Sequence, residues 1–410
     1  MELKCAYQTY HWGRPGSSST VARLVAASQP GFSVSEDTHY AELWMGTHGS
    51  GPSVLAATGQ PLADYIREHP EVLGESVAAR FGTQLPFLLK VLSVDTALSI
   101  QAHPSKSHAE ELHAAQPTVY KDPNHKPEMA VALTPFEALC GFRPLEEIQH
   151  FLKVVPELSA AVGPEPSAAL LAVSPSDPAS RDRLRDCLQA LMTRDPADIS
   201  RLLDSLVARL SATGDSAPSD PLLPADLILR LSSQYPGDVG CLCALLLNRL
   251  VLQPGQALFL GPNEPHAYLA GDCVEIMACS DNVVRSGLTP KFKDVSTLVS
   301  MLTYECRPAS EQLFRPSCAA GGGDCVQEFR PPVPDFSLAK IQFVPDSVGS
   351  QYTVPVRDSA SLLLVVSGAA TRGATVVGRG SVLFTPAGEE VTLTLTDRAE
   401  VLLFQAFCQL

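Results

Sequence analysis

Basic side chains are in the minority. The 410 residues carry 30 Lys and Arg against 44 Asp and Glu, a formal charge of −14. A chain that repels anions this strongly is a poor ligand for nucleic acid or for an anionic membrane surface. No apolar run approaches the roughly 20 residues a membrane span needs. The opening stretch MELKCAYQTYHWG has no apolar h-region, so no secretory signal is expected. The eleven cysteines are odd in number and form no CxxC pair. Reduced thiols and a cytoplasmic location are therefore expected, with Cys241 and Cys243 in GCLCALLL read as small buried thiols. Charged residues are scarce at 18% while apolar residues reach 45%, which excludes disorder as the dominant state. The length exceeds what one core usually holds, so two or three domains are expected.

Three patterns follow one another along the chain. Residues 1–142 favour strands. LPFLLKVLSVDTALSIQAH (85–103) reads as strand, turn and strand, and SKSHAEELHAA (105–115) as a short helix. From 143 to about 245 the period becomes 3.6, with Leu184, Cys187, Leu188 and Leu191, then Ile199, Leu202, Leu203 and Leu206 after Asp195-Pro196. Alternation returns in NRLVLQPGQALFLGPNEPHAYLAG, a strand, a Pro-Gly turn and two further strands. Residues 310–331 read as a linker or loop. From 335 to 410 short strands alternate with turns, the pattern of a sandwich or barrel. GQALFLGPNEPH (255–266) is echoed in GSVLFTPAGEEV (380–391), with Val391 where the first copy has His266. A second, related β unit without a metal site is implied.

Three stretches concentrate polar side chains that could do chemistry. Gln101 and His103 stand two apart on a strand, so they share a face. Prolines stiffen the loop that carries His125, Lys126 and Glu128. His266 and Tyr268 follow a Pro-Gly turn. Gln101, His103, Glu128 and His266 together supply two imidazoles, a carboxylate and an amide oxygen, a set suited to one Zn²⁺. Their order matches a cupin-type jelly-roll metal site. Arg285, Lys291 and Lys293 form a cationic run in an acidic chain. Lys90, inside the apolar PFLLKVLSV, would be costly to bury without purpose and is a candidate for binding an anion.

YKDPNHKPEMA (120–130) and HAYLAGDCVEIMACSDNVVRSGLTPK (266–291) resemble the two signature segments of the type I phosphomannose isomerases. YAELWMGTH (40–48), LPFLLKVLSVDTALSIQAHP (85–104) and PGDVG (236–240) resemble that family too. Ser286 departs from the alanine usual there. The resemblance implies a mainly β fold: a cupin-type jelly-roll catalytic domain over 1–142 and 246–309, an all-α insertion over 143–245, and a C-terminal jelly-roll-like β domain over 310–410. It implies a monomeric cytoplasmic enzyme that interconverts mannose 6-phosphate and fructose 6-phosphate and feeds GDP-mannose synthesis. The zinc ligands carry over to Gln101, His103, Glu128 and His266, and the catalytic arginine to Arg285.

Aldose–ketose exchange through a cis-enediol needs a group that moves a proton and positive charge that stabilises the enediolate. Arg285 is expected to do the latter. Lys126, Glu275 and Asp281 are the candidates for proton transfer, and His125 for ring opening. Ser99 and Lys90, with Lys291 as a second option, are expected to hold the phosphate, and Tyr268 to line the sugar pocket. A redox metal dioxygenase and a non-catalytic sugar-binding protein are the competing classes.

Overall fold

The computed structural model describes residues 1–212, 220–318 and 325–410. Strand formation follows the apolar runs. The strands that carry the site are β1 (Glu42–Met45), β2 (Phe87–Val94), β3 (Ile100–Ala102), β4 (Glu128–Ala132), β5 (Phe136–Phe142), β6 (Leu247–Leu252), β7 (Ala257–Leu260), β8 (His266–Ala278) and β9 (Val284–Gly287). All their pairings are antiparallel.

β8 organises the assembly. Its start pairs with β3 and β5, and its far half pairs with β2 on one side and β4 on the other. The change of partners falls at Gly271, where φ is +110° and an added Cβ would lie 2.5 Å from the Pro135 carbonyl oxygen. Only glycine fits that bend, because a side chain would meet both the left-handed backbone and the neighbouring strand. Cys273, Tyr268, Phe136, Leu258 and Leu260 pack together between the strands.

The 3.6-residue periodicity of 143–245 folds as helices, among them Leu145–Val154, Ser180–Met192, Pro196–Ala212 and Ala225–Gln234. Asp195 starts the third of these, its carboxylate accepting from the Ala197 N–H at 2.8 Å. The apolar stripes at 184, 188 and 191 and at 199, 202, 203 and 206 meet in one core. That core is continuous with Ile100, Val284 and Leu288 beneath β3 and β9. The molecule is thus mainly β with a helical insertion.

The C-terminal region forms antiparallel sheets from strands such as Ser337–Phe343, Ser361–Ser367, Val382–Thr385 and Val401–Phe407. The echo between 255–266 and 380–391 has a structural counterpart. Gly255 and Gly380 both take left-handed φ, +87° and +82°. Each leads into a four-residue strand, Ala257–Leu260 and Val382–Thr385, and His266 and Val391 each open the next one.

Three short strands cross the boundaries expected from sequence, one of them Val54–Leu55, which pairs with Glu2–Lys4 at the edge of the C-terminal sheet. Glu2–Lys4 pairs with Val382–Thr385 in the C-terminal sheet. Leu313–Phe314 pairs with Ala257–Leu258. The stretch 310–331 is therefore more than a linker: Leu313–Phe314, Ser317–Cys318 and Val326–Phe329 are strands, while 319–324 lie outside the described residues. The Pro, Ser and Gly content of the stretch hid strands only two to four residues long.

Candidate active site

Four strands converge on one buried cluster. Register places Gln101 of β3 directly across from His266 of β8 on one side and from Arg285 of β9 on the other. Residues opposite one another in an antiparallel pair point to the same face. Gln101, His266 and Arg285 therefore project together, and His103 follows at the end of β3. Glu128 enters from β4, whose partners are β7 and β8.

His103, Glu128 and His266 are almost fully buried, and their ligand atoms lie within 4.8 Å of one another. His103 Nε2 is 3.4 Å from Glu128 Oε1, and His266 Nε2 is 3.5 Å from Glu128 Oε2. Among the described residues, His103 Nε2, His266 Nε2 and Glu128 Oε2 have no hydrogen-bond partner. Leaving three inward-facing buried atoms unsatisfied is costly unless something binds them. The other ring nitrogens are engaged: His103 Nδ1 bonds the Asn282 carbonyl at 2.7 Å and His266 Nδ1 the Glu264 carbonyl at 2.9 Å. Carbonyl acceptors on Nδ1 fix the tautomer that bares Nε2, the arrangement usual behind metal-bound imidazoles. Burial, only partly offset by Glu128, pushes the His103 pKa down to about 4, so the ring is neutral and can donate its lone pair. Burial alone would raise Glu128, but Lys126 (3.2 Å) and the two histidines hold it well below the usual carboxylate range. The donor set, two imidazoles and a carboxylate with Gln101 alongside, fits a zinc ion.

A cavity of about 540 Å³ opens beside this cluster, with Lys90, Lys126, Asp281, Lys291, His48 and Trp44 in its lining. Arg285 is half-buried and forms no ion pair or side-chain hydrogen bond among the described residues. Burial alone lowers its pKa, and no carboxylate offsets the effect. An uncompensated guanidinium beside the cluster is a standing attraction for an anion.

Lys90 is differently placed. Its ammonium lies 3.2 Å from Glu275, 3.6 Å from Glu42 and 5.0 Å from the Trp44 ring centroid. Burial opposes its charge, but the two carboxylates outweigh burial and raise its pKa. Its charge is committed within the protein, which makes it a weak phosphate anchor. Glu275 is buried among Lys90, Glu128 and Glu42, and burial pushes its pKa up although Lys90 pulls it down. Asp281 is exposed at the cavity, held low chiefly by His48 at 3.5 Å.

The remaining candidates are spread more widely. Lys291 stands exposed on the cavity wall, and Ser99 is half-buried just before β3. Tyr268 is buried against Phe136, ring centroids 5.2 Å apart, and is absent from the cavity lining. His125 engages Asp335 of the C-terminal region at 3.0 Å. Ser286 turns its hydroxyl into the helical insertion, 3.5 Å from Met192 Sδ, so the departure from alanine does not reach the cavity.

Sequence reasoning missed Glu42, His48, Asp122 and Asn282. Glu42 and His48 lie in YAELWMGTH, and nothing in that string says which residue faces Lys90. Asp238 was missed too. Its carboxylate takes the N–H groups of Gly240, Leu288 and Thr289 at 2.7, 2.6 and 3.2 Å, pinning the insertion to the turn after Arg285.

Fold and site together define a class: a predominantly β protein with a helical insertion and a buried candidate site for one divalent ion. Family models match in two places, the catalytic domain of type I phosphomannose isomerase over residues 1–145 and its helical insertion domain over 162–247. The mannose-6-phosphate isomerase of Rattus norvegicus is 47% identical over 418 residues, covering 100% of this chain and 98% of the relative. That of Homo sapiens is 46% identical at the same coverage. Among solved structures, the apo form of mannose 6-phosphate isomerase from Salmonella typhimurium aligns with a TM-score of 0.82 at 32% identity, over 100% of this chain and 99% of that one. A mannose 6-phosphate isomerase bound with zinc and yttrium aligns with the same values. The chain belongs to the type I phosphomannose isomerases, an enzyme family, as its two signature segments implied.

Proposed function

We propose that this protein is a zinc-dependent isomerase that interconverts mannose 6-phosphate and fructose 6-phosphate, working as a cytoplasmic monomer on the route to GDP-mannose. The observation that carries the reading is the Arg285 guanidinium, without an ion-pair partner among the described residues, one strand away from the buried His103, Glu128 and His266 donors. Family membership over the full chain supplies the substrate class.

Gln101, His103, Glu128 and His266 would hold one zinc ion per chain. Bound zinc supplies Lewis-acid polarisation of the sugar oxygens with no change of redox state. The chain's own groups do the rest. Lys126 and Asp281 face the cavity, where they can take the proton from one carbon of the aldose and return it to its neighbour through a cis-enediol. Glu275, placed behind them and bound to Lys90, sets the field that Lys126 feels. Arg285 stabilises the negative oxygen that develops as the proton leaves. Lys291 at the rim, with Ser99, suits the phosphate better than Lys90 does. His125 is best read as holding its loop through Asp335, and Tyr268 as packing under His266. We assign the sheet that carries β2, β4 and β8 to a cupin-type jelly roll over 1–142 and 246–309, the insertion to 143–245, and a metal-free second unit to 310–410, with three short strands exchanged across the edges.

A coupled assay converting fructose 6-phosphate to mannose 6-phosphate tests the reading. Turnover should vanish on exhaustive chelation and return with stoichiometric zinc. Folded, metal-free protein that still turns over at the full rate would overturn it.

A further inference from the structure

The loop that carries Lys126 and the turn that carries the His103 carbonyl partner are tied together by an interlocked set of bonds. Asp122 takes the Ser280 hydroxyl and the Asn124 N–H on Oδ1, at 2.8 and 3.0 Å, and the Asp281 N–H on Oδ2 at 2.8 Å. Asn282 answers from the other side. Its side-chain amide donates to the carbonyls of Asp122 and Asn124 at 2.6 and 2.9 Å. Its own backbone carbonyl accepts from His103 Nδ1 at 2.7 Å. The Ser280 hydroxyl oxygen also accepts the Asn282 N–H at 3.1 Å, and the Asn124 carbonyl, 3.1 Å away, is the alternative acceptor for its single proton. Asn282 is 1% exposed, so these amide donors have no water to fall back on.

We infer that Asp122 and Asn282 are positioning residues that form one clamp, setting the Lys126 ammonium and the His103 imidazole relative to each other. Neither is in the cavity lining. Asn282 bonds the first histidine through its carbonyl and the loop of the lysine through its side-chain amide. Only His125 stands between Asn124 and Lys126, and Lys126 Nζ lies 3.2 Å from Glu128. A shift of this loop therefore moves the lysine against the carboxylate that would share the metal. Backbone carbonyls tolerate few alternative donors at this depth, which explains an asparagine rather than a serine: two N–H groups on one rigid amide span two carbonyls. The inference rests on the isomerase reading for its kinetic consequence, but its metal-affinity consequence stands apart from that reading.

The test uses the full-length protein with Asn282→Ala, Asp122→Ala and the conservative Asp122→Asn. Zinc affinity of the apoprotein is measured by competition with a chromophoric chelator, and melting temperature and isomerase kinetics at saturating zinc are measured alongside. Asn282→Ala keeps the carbonyl that holds His103 but removes the amide bonds that fix its position, so zinc should weaken up to about 10-fold, the low end of the range for loss of an outer partner. At saturating zinc it should still lower kcat about tenfold with little change in KM. Asp122→Ala should lower kcat similarly, Asp122→Asn should recover most of it, and the double alanine variant should be no worse than the poorer single one.

If Asn282→Ala folds and keeps wild-type zinc affinity and kcat, the clamp is wrong. Full recovery of kcat at saturating zinc would limit Asn282 to the metal and overturn the link to Lys126. If Asn282→Ala does not fold, the two Asp122 variants decide the matter by kcat, and equal kcat in both overturns the proposal. Should the wild type bind zinc without isomerising the sugar phosphate, the functional reading fails, while a loss of zinc affinity in Asn282→Ala would still uphold the clamp.

Discussion

Lys90 shows how a single buried charge can be read two ways. A lysine inside an apolar strand must have a purpose, and the sequence argument rightly expects a partner for it. The partner is internal: Glu42 and Glu275 enclose it, with the Trp44 ring alongside. Lys90→Met should therefore destabilise by about 3–5 kcal/mol, because two buried carboxylates lose their cation. Urea unfolding would show it, and an unchanged midpoint would mean the pairs do not hold the fold. Arg285 is the contrast, a half-buried cation with no carboxylate. Arg285→Ala should cost roughly 10²–10³ in kcat, the scale of one lost oxyanion donor, and leave unfolding unaffected. Full turnover in that variant would remove the arginine from the chemistry.

At the scale of elements, the position of β9 depends on the helical insertion. Gly287 and Gly240 meet so closely that a Cβ on Gly287 would lie 2.4 Å from the Gly240 Cα. Asp238 then ties both backbones together. Gly287→Ala must push the strand off the insertion, at about 1–3 kcal/mol as for other overpacked sites. Because Arg285 sits two residues away, kcat should fall along with the melting temperature. A variant that loses stability at full kcat would show that the insertion does not set the arginine. The insertion is thus the base on which the arginine strand rests. Its helical period was plain in the sequence, but its contact with Arg285 was not.

Across the whole molecule, proton linkage falls on the buried cluster. The His103 pKa, ordinarily 6.5, lies near 4 in the fold because burial disfavours the charged ring. Between those values the unfolded chain binds a proton that the native apoprotein refuses. Stability is therefore complete above about pH 6.5 and falls as pH drops toward 4, by roughly 3 kcal/mol at most. Urea midpoints of the apoprotein at pH 7 and pH 5 should reveal the loss, and His103→Gln should flatten it. A flat profile in the wild type would mean the ring is solvated. The C-terminal region also reaches the site, through the 3.0 Å contact between Asp335 and His125, and the strand Glu2–Lys4 joins its sheet from the far end of the chain. Asp335→Ala should lower the melting temperature by a few degrees, as expected for a buried partner lost in a chain of this size.

Much of this was legible in the residues themselves. Period-2 and period-3.6 patterning depends only on which side chains avoid water, so the strands 87–94 and 257–260 and the helices 184–191 and 199–206 could be read directly. The spacing of Gln101, His103, Glu128 and His266 pointed to a metal before any coordinates, since few other purposes need those donor types together. Convergence was another matter. That Lys90 pairs with Glu275, that His125 bonds Asp335 and that Asn282 grips the lysine loop all depend on contacts between segments more than a hundred residues apart. Local sequence carries no record of such contacts, because the energy that selects them is released only when the strands and the helical insertion close on one another.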